Sequence, residues 1–295
     1  MSSAPLLCIG SVLWDVIGRT PSVMTVGADV PGRISRIPGG VALNIAMALR
    51  RAGQVPALLS AVGTDEAGDE LVERCALLGL DTTHIYRSDL PTDAYMAIEG
   101  AGGLIAAIAD AHSLEAAGDK ILAPLSDGRL GSPEVPFSGC IALDGNLTEQ
   151  LLAQIGESPL FAKADLRLAP ASPGKAERLL PLLGHPGTTL YLNRAEAGLL
   201  AQERFDSAET AAQALVARGA ARVLVTDGGK PTCDACAEES HCATPPAVMV
   251  TRVTGAGDTF MAAHIAAEMA GKPRAGALTH AQAVTAAYVS GETRL

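Results

Sequence analysis

Short apolar runs alternate with longer amphipathic segments along most of this 295-residue sequence. Each run ends near glycine or a polar residue, which is typical of buried strands that alternate with helices. Hydrophobic residues make up 48% of the chain but aromatic residues only 3%, so small aliphatic side chains form the core, as suits helices on a parallel sheet. We therefore predict a three-layer α/β/α sandwich with a mostly parallel central sheet, its strands being Leu6 to Ile9, Ala57 to Val62, Cys140 to Leu143, Asp165 to Ala169, Thr188 to Leu192 and Arg222 to Thr226.

Two segments do not fit this alternation. Residues 16–37 are rich in glycine and proline, and the apolar runs Tyr95 to Ile98 and Leu104 to Ile108 flank a glycine-rich turn, as the strands of a hairpin do. Together they predict a small second sheet, a lid, over the ligand. We expect one domain over residues 1–295, with lid segments at about residues 12–37 and 92–112.

Charge and cysteine content exclude several classes of protein. The formal net charge is −10 without any Lys/Arg-rich run, so nucleic-acid binding is not expected. No apolar run approaches the ~20 residues of a membrane span, and we expect a cytoplasmic protein without a membrane partner. Its six cysteines are then expected to be reduced. Cys233, Cys236 and Cys242 include only one close pair, so no structural metal is expected.

The segment Val253 to Phe260, which reads Val-Thr-Gly-Ala-Gly-Asp-Thr-Phe, has the composition of an anion site. It leads into an apolar helix, Phe260 to Ala270, and the residues ahead of that helix carry almost no side chain. Backbone N–H groups at a helix start can close on an anion, and the helix dipole favours negative charge there. Asp258 is a candidate base for an attacking hydroxyl in phosphate transfer. The alternative is a glycine-rich helix start that Asp258 caps.

Two further segments are candidates for binding the acceptor. Asp15 follows the first strand, and ligands of parallel sheets gather at the carboxyl ends of strands; the alternative is a solvated turn residue. Gly39 and Gly40 precede a helix that ends near Arg51, and Asn44 lies one turn inside it. Paired glycines let a ligand approach the backbone, so Asn44 is either a ligand-binding group or a satisfied core amide.

Asn193 and Glu196 stand at the end of another predicted strand. Because they are three residues apart, they face the same side of a first helical turn and can hold a hydrated Mg²⁺ or phosphate oxygens. Asn193 can equally cap the helix with Glu196 as its capping-box partner, and the spacing alone favours the cap. The glycines at 228 and 229 form a turn open enough for a nucleotide.

Taken in this order, these segments resemble the ribokinase-like (PfkB) family of sugar and nucleoside kinases over nearly the whole chain. The resemblance implies a ribokinase-like fold and a reaction that uses ATP and Mg²⁺. It implies Asp258 as the base with Gly255, Ala256 and Gly257 as the anion hole, Asp15, Gly39, Gly40 and Asn44 at the acceptor, and Asn193, Glu196, Thr226, Gly228 and Gly229 at ATP and Mg²⁺.

Several shorter runs look most like one branch of this family, the pseudouridine kinases. They are Leu59-Ser60-Ala61-Val62-Gly63, Ala106-Ala107-Ile108-Ala109-Asp110, Asp144-Gly145-Asn146-Leu147, and Pro170-Ala171-Ser172 ahead of Lys175. We therefore add Asp110 and Asn146 to the acceptor site and expect phosphorylation of the 5′-hydroxyl of pseudouridine. The alternatives are a fructokinase-like or other sugar or nucleoside kinase and, in another class, a non-catalytic sugar- or nucleoside-binding protein.

Two positions depart from the pattern of the family. Leu13 stands where ribokinases carry Asn, and the surrounding segment is similar to fructokinase-like members. Arg252 stands where potassium-activated members carry an acid, and its charge repels a cation, so no strong K⁺ activation is expected. Because lids in such kinases often pair between subunits, a homodimer through the lid is a further expectation.

Overall fold

The computed structural model describes residues 6–27 and 29–292. The strands are β1 (Leu6–Ile9), β2 (Leu13–Arg19), β3 (Arg33–Gly39), β4 (Ala57–Leu59), β5 (Ala61–Gly63), β6 (Tyr86–Ser88), β7 (Ala94–Gly100), β8 (Gly103–Asp110), β9 (Cys140–Asp144), β10 (Asp165–Ala169), β11 (Thr188–Asn193), β12 (Arg222–Asp227), β13 (Lys230–Cys236) and β14 (Ser240–Ala243). The α-helices are α1 (Val41–Arg51), α2 (Glu66–Leu77), α3 (His112–Ala117), α4 (Glu149–Glu157), α5 (Arg194–Ala201), α6 (Ala208–Ala217), α7 (Ala256–Met269) and α8 (Arg274–Ser290). In the described ranges, no helix is both long and apolar enough to cross a bilayer.

Eight strands form the central sheet, in the order β14-β13-β12-β11-β10-β9-β1-β4. The strands from β12 to β4 are parallel, whereas β13 and β14 run antiparallel at one edge. Alternate residues of a strand point to opposite faces, so Leu7 and Ile9 pack on one side of β1 and Leu6 and Cys8 on the other. Helices α4, α5 and α6 cover the first face and α1, α2, α7 and α8 the second. The predicted three-layer sandwich is confirmed.

The prediction of one strand from Ala57 to Val62 is wrong. The chain forms β4, breaks at the buried Ser60, and then forms β5, which pairs with β6 in a separate two-stranded sheet. At the break, the Ser60 carbonyl accepts a hydrogen bond from the Tyr86 N–H at 2.9 Å. Both pieces are buried, and the apolar run is therefore continuous in sequence although the backbone changes sheet.

A second sheet of four strands, here called the lid sheet, has the order β3-β2-β7-β8. Strands β7 and β8 form the hairpin predicted around the glycine-rich turn. Strand β2 begins shortly after β1 ends, so the lid sheet is joined to the central sheet at the carboxyl end of β1. All residues of β8 are exposed.

Cys233 and Cys242 form a disulfide bond between β13 and β14, with their Cα atoms 4.2 Å apart. They are paired directly opposite each other in the antiparallel register. The expectation of reduced thiols is wrong for this pair, because only the strand register brings the two sulfurs together. The free thiols among the described residues are those of Cys8, Cys75, Cys140 and Cys236.

Candidate active site

A cleft of about 550 Å³ opens where the carboxyl ends of the parallel strands approach the lid sheet. A cavity of this size is typical of a small-molecule site. The residues predicted from the sequence that line it are Asp15, Gly40, Asn44, Asn146, Asn193, Glu196, Thr226, Gly255, Ala256, Gly257 and Asp258. The predicted residues that do not line it are Gly39, Asp110, Gly228 and Gly229.

Helix α7 begins at Ala256, inside the predicted anion-binding segment and earlier than its apolar stretch indicates. Gly255 at its N-cap has a φ of +78°, a conformation that L side chains rarely adopt. A Cβ there would also collide with the hydroxyl of Tyr288, which donates a hydrogen bond to the Thr254 carbonyl at 2.9 Å. No side chain caps this end of the helix. Asp258 is therefore not a cap, and the first N–H groups of α7 can bind an anion.

Asp258 lies in the first turn of α7 among other acids. Burial, together with the negative charges of Asp144, Glu196 and Asp15, raises the pKa of Asp258 to about 7, although a hydrogen bond from the Asn44 side chain opposes this shift. Its carboxylate therefore exchanges a proton near neutral pH, where a general base is effective. Asn44 stands one turn inside α1, as predicted, and contacts this candidate base.

Asp15 reaches the cleft from strand β2 of the lid sheet and not from a turn at the end of β1. The solvated-turn alternative is therefore wrong, and burial raises the pKa of Asp15 to about 6. Gly39 packs against the Asp15 carboxylate, which any Cβ at that residue would overlap. Gly40 has a φ of +99° and lies against the Ser11 carbonyl. Both glycines are thus required by close packing at the start of α1.

Asp144, which the sequence patterns do not single out, ties three parts of the site together. It is fully buried at the end of β9. Its Oδ2 accepts hydrogen bonds from the backbone N–H groups of Ser11 and Ala42, at 2.7 and 2.9 Å, and from the Ser11 hydroxyl at 2.7 Å. Its Oδ1 accepts one from the Asn146 N–H at 2.7 Å. One carboxylate therefore holds the end of β1, the first turn of α1 and the loop after β9.

Asn193 and Glu196 form a capping box at the start of α5. Asn193 Oδ1 accepts a hydrogen bond from the Glu196 N–H at 2.9 Å, and Glu196 Oε2 accepts one from the Asn193 N–H at 2.8 Å. The capping interpretation is confirmed, yet both residues also line the cleft, and burial raises the pKa of Glu196. Thr226 lines the cleft near the end of β12, whereas the turn with Gly228 and Gly229 lies beyond it, in open space.

Asp110 ends β8 at the edge of the cleft. Its neighbours Ala109 and Ala111 line the cleft, whereas the Asp110 side chain is exposed and its Oδ1 lies 2.6 Å from Nδ1 of His112. This hydrogen bond lowers the pKa of Asp110. Because neighbouring strand positions point to opposite sides, the inward places belong to the alanines, and this conformation does not bring Asp110 to the cleft.

A buried network of charges lies on the second half of α7. Glu268 binds Arg167 of β10 at 2.5 Å and Arg222 of β12 at 2.7 Å. His264 is fully buried beside them, with its Nδ1 2.8 Å from the Tyr191 hydroxyl. Burial lowers the pKa of His264 to about 4, and the two arginines act in the same direction. Paired charges therefore fix this half of α7 to the central sheet.

Known proteins are similar to this chain over nearly its full length. The profile of pfkB family carbohydrate kinases matches residues 3–293. A pseudouridine kinase of Escherichia coli is 29% identical over 97% of this chain and 91% of its own length, and a ribokinase of Haemophilus influenzae is 28% identical over 97% and 92%. A solved structure of a carbohydrate kinase from Agrobacterium tumefaciens superposes with a TM-score of 0.81 and 25% identity, covering 99% of this chain and 94% of that one.

Proposed function

Because the chain belongs to the pfkB family of carbohydrate kinases, we propose that it phosphorylates the 5′-hydroxyl of pseudouridine with ATP. The observation that carries this proposal is the setting of Asp258, which stands in the first turn of the uncapped helix α7, contacts Asn44 and shares one cleft with Asp15. A base, anion-binding N–H groups and acceptor-binding groups are thus close together. The similarity to a pseudouridine kinase supports the choice of acceptor.

In the proposed reaction, Asp258 accepts the proton of the 5′-hydroxyl while the hydroxyl oxygen bonds to the γ-phosphorus. The bond from that phosphorus to its bridging oxygen breaks, and ADP leaves. The N–H groups of Gly255 and Gly257 donate hydrogen bonds to the phosphoryl oxygens, and the positive end of the α7 dipole stabilises their charge. The Ala256 N–H, which the sequence also assigns to the anion hole, donates to the Val253 carbonyl at 3.1 Å instead. Asp15, Gly40 and Asn44 hold the sugar hydroxyls and so aim the 5′-hydroxyl at Asp258.

Kinases of this family use ATP with a divalent metal ion, and the residues near α5 fit that requirement. Glu196 supplies a buried carboxylate, Asn193 an amide and Thr226 a hydroxyl on one side of the cleft. Such hard oxygen ligands suit Mg²⁺, which usually keeps several of its waters. When bound, Mg²⁺ neutralises phosphate charge. We assign these three residues to Mg²⁺ and phosphate, and Gly228 and Gly229 to the nucleotide.

The proposed function is tested by measuring ADP release with Mg²⁺-ATP across pseudouridine, uridine, ribose, fructose and adenosine. We expect the highest kcat/KM with pseudouridine. Turnover confined to another member of the panel would keep the kinase and reject this acceptor. An absence of turnover on all five, in protein shown to be folded, would favour a binding protein.

A second candidate is a kinase for fructose or another sugar. Leu13 lines the cleft close to Asp15, so an apolar side chain stands where ribokinases offer an amide. The non-catalytic alternative is less favoured, because binding alone does not need a carboxylate whose pKa is raised to about 7. The same acceptor panel separates the two kinases.

We also propose that K⁺ does not activate this enzyme strongly. The Arg252 guanidinium lies over the Tyr288 ring, 3.8 Å from its centroid, and Nε donates a hydrogen bond to the Tyr288 carbonyl at 2.7 Å. A fixed positive charge at this place repels a monovalent cation. Initial rates in KCl and NaCl at equal ionic strength should be similar, and a large gain in KCl would contradict this proposal.

The lid sheet supports the proposal of a homodimer. Leu104, Ile105 and Ile108 of β8 are all more than half exposed, and burial of such apolar surface drives association. Light scattering after size exclusion should give twice the mass of one chain, and a monomer at micromolar concentration would contradict it.

A cytoplasmic location stays a prediction.

A further inference from the structure

Tyr288 lies on the last turn of helix α8 and packs against the segment that leads into helix α7. Its side chain is buried. The hydroxyl donates a hydrogen bond to the Thr254 carbonyl at 2.9 Å, and a Cβ on Gly255 would lie 2.7 Å from the same hydroxyl oxygen. Thr254 and Gly255 line the cleft, whereas Tyr288 does not. Tyr288 therefore contacts the anion-binding segment from outside the space that a ligand occupies.

One peptide group joins the Thr254 carbonyl to the Gly255 N–H. This peptide is trans, so its carbonyl and its N–H point in opposite directions within one plane. Because the carbonyl is turned toward Tyr288, the N–H is turned away from that side chain. Among the residues that the structure describes, none accepts a hydrogen bond from the Gly255 N–H. The Tyr288 hydrogen bond thus sets the direction of an N–H group that is available to a ligand.

The residues just ahead of the anion-binding segment hold Tyr288 in turn. The Thr251 N–H donates a hydrogen bond to the Val289 carbonyl at 2.8 Å, and Arg252 Nε donates one to the Tyr288 carbonyl at 2.7 Å. The Arg252 guanidinium also covers the Tyr288 ring, and an aromatic face attracts a cation. These contacts restrict both the backbone and the ring of Tyr288, so its hydroxyl stays at the Thr254 carbonyl.

The Tyr288 hydroxyl keeps its proton when the candidate base is ionised. Burial raises the pKa of Tyr288 and the charge of Asp258 acts in the same direction, although Arg252 and Arg51 oppose the shift. A phenol has one proton to donate, and the bond to the Thr254 carbonyl uses it. Tyr288 therefore acts on the reaction through the backbone and supplies no proton to it.

We propose that Tyr288 is a positioning residue for phosphoryl transfer and that it holds the Gly255 N–H in the direction of the transferred phosphoryl group. The inference rests on the proposed function in requiring a kinase, but it holds for any acceptor. Negative charge on the phosphoryl oxygens is stabilised best by donors that are fixed before the reaction. Without the hydroxyl, the peptide is free to rotate. The loss should then appear in the transition state and not in the binding of either substrate.

The test is Tyr288→Phe, which removes only the hydroxyl and keeps the ring beneath Arg252. ADP release measures kcat and both KM values with the acceptor that the unmodified protein phosphorylates. Calorimetric titration in the presence of that acceptor measures the affinity for ADP alone and for ADP with aluminium fluoride, which mimics the phosphoryl group during transfer. We expect kcat and the affinity for the fluoride complex to fall about 10-fold each, less than for a deleted oxyanion-hole donor. Both KM values and the affinity for ADP alone should stay unchanged.

Tyr86→Phe is the matched control, because Tyr86 lies on β6 and does not line the cleft. It should match the unmodified protein in every measurement. If Tyr288→Phe does not fold, Arg252→Met is measured in the same way. That variant keeps the Tyr288 hydroxyl but removes the guanidinium from its ring and carbonyl, so we expect the same pattern with a smaller loss of kcat.

Three results would overturn the inference. A normal kcat in Tyr288→Phe, or in Arg252→Met where that variant replaces it, would show that the hydroxyl does not position a reacting group. An equal loss of affinity for ADP with and without fluoride would assign Tyr288 to the shape of the nucleotide site. A raised KM with normal kcat would place its effect on substrate binding.

Failure of the proposed function gives a different result. If the unmodified protein phosphorylates another member of the acceptor panel, the choice of pseudouridine is wrong, and the same comparison with that acceptor still tests Tyr288. If the unmodified protein neither turns over any acceptor nor binds ADP more tightly with aluminium fluoride, both the kinase and the role of Tyr288 are wrong. If pseudouridine is phosphorylated equally well by Tyr288→Phe, only the role of Tyr288 is wrong.

Discussion

The two ends of helix α7 place buried charge in opposite settings. At its N-terminus, Asp258 lies among Asp144, Glu196 and Asp15, and burial with these acids raises its pKa to about 7. On the last turns of the same helix, Glu268 is bound by two arginines. Burial opposes ionisation there too, but the positive charges around Glu268 outweigh it and lower its pKa.

The comparison distinguishes two roles of a buried carboxylate. Asp258 is available to react with a proton, whereas Glu268 holds α7 in place through its ion pairs. A carboxylate without a compensating cation is a good base, yet it opposes folding, because burial penalises its ionised form. A carboxylate paired with arginines cannot take up a proton readily, and its removal takes one of two carboxylate partners from each arginine, so that Arg167 keeps Asp165 and Arg222 keeps Asp234. Substitutions at the two ends of α7 should therefore act on different properties, the first on turnover and the second on stability.

The largest effect is expected at the reactive end. Asp258→Asn keeps the shape and can still accept a hydrogen bond from Asn44, but it cannot accept a proton. We expect kcat to fall at least ~100-fold, the lower range of general-base catalysis. The measurement is ADP release at saturating acceptor, with the exposed Asp119→Asn as the matched control. Near-normal turnover in Asp258→Asn would remove this residue from the role of base.

A substitution of Glu268, at the anchoring end of α7, should lower the stability of the protein. Glu268→Ala removes the partner that Arg167 and Arg222 share but leaves each arginine its other carboxylate. We expect a loss of about 2 kcal/mol in the free energy of unfolding, the range of hydrogen bonds to charged groups. Turnover at 25 °C should stay close to normal, because Asp258 lies three turns away on the helix. Chemical denaturation measures the loss, and the exposed Glu73→Ala should show none. A stable but inactive Glu268→Ala would contradict the division between the two ends.

The pH dependence of the rate should come from the reactive end. Because Asp258 must be ionised to accept a proton and its pKa is about 7, kcat/KM for the acceptor should fall about tenfold per pH unit below that value. The pKa of Glu268 is lowered, so this residue stays ionised over the same range. Rates between pH 5.5 and 9 test the expectation. A flat profile down to pH 5.5 would show that the base has an ordinary carboxylate pKa.

Local sequence patterns predict the reactive end of α7 but not the anchoring end. The Gly255–Asp258 turn and the spacing of Gly40 and Asn44 are visible because glycines, a helix start and a polar group stand within one turn of each other. Arg167, Arg222 and Glu268 lie far apart in sequence and meet only through the strand order and the packing of α7.

The other features that the sequence does not predict have the same cause. The sequence places Asp144 in a run similar to the pseudouridine kinases but gives it no role, because its four hydrogen bonds come from three separate segments. The Cys233–Cys242 bond depends on hairpin register, and the break at Ser60 depends on a partner strand that begins at Tyr86. Local patterns therefore predict the elements and the contacts within one turn, whereas tertiary register decides the rest.

Removal of the reactive charge should also change the stability of the protein. The pKa of Asp258 is about 7 in the folded chain against about 3.9 in an unfolded one, so the folded state binds more protons between these values. Stability contributed by this group is therefore present below about pH 4 and is lost as pH rises to 7. Asp258→Asn should raise the thermal midpoint at pH 8, and its advantage should shrink as the pH falls toward 4.5. A lower midpoint at pH 8 would mean that the Asp258 carboxylate is compensated in the folded enzyme, and the contrast between the two ends of α7 would then not hold.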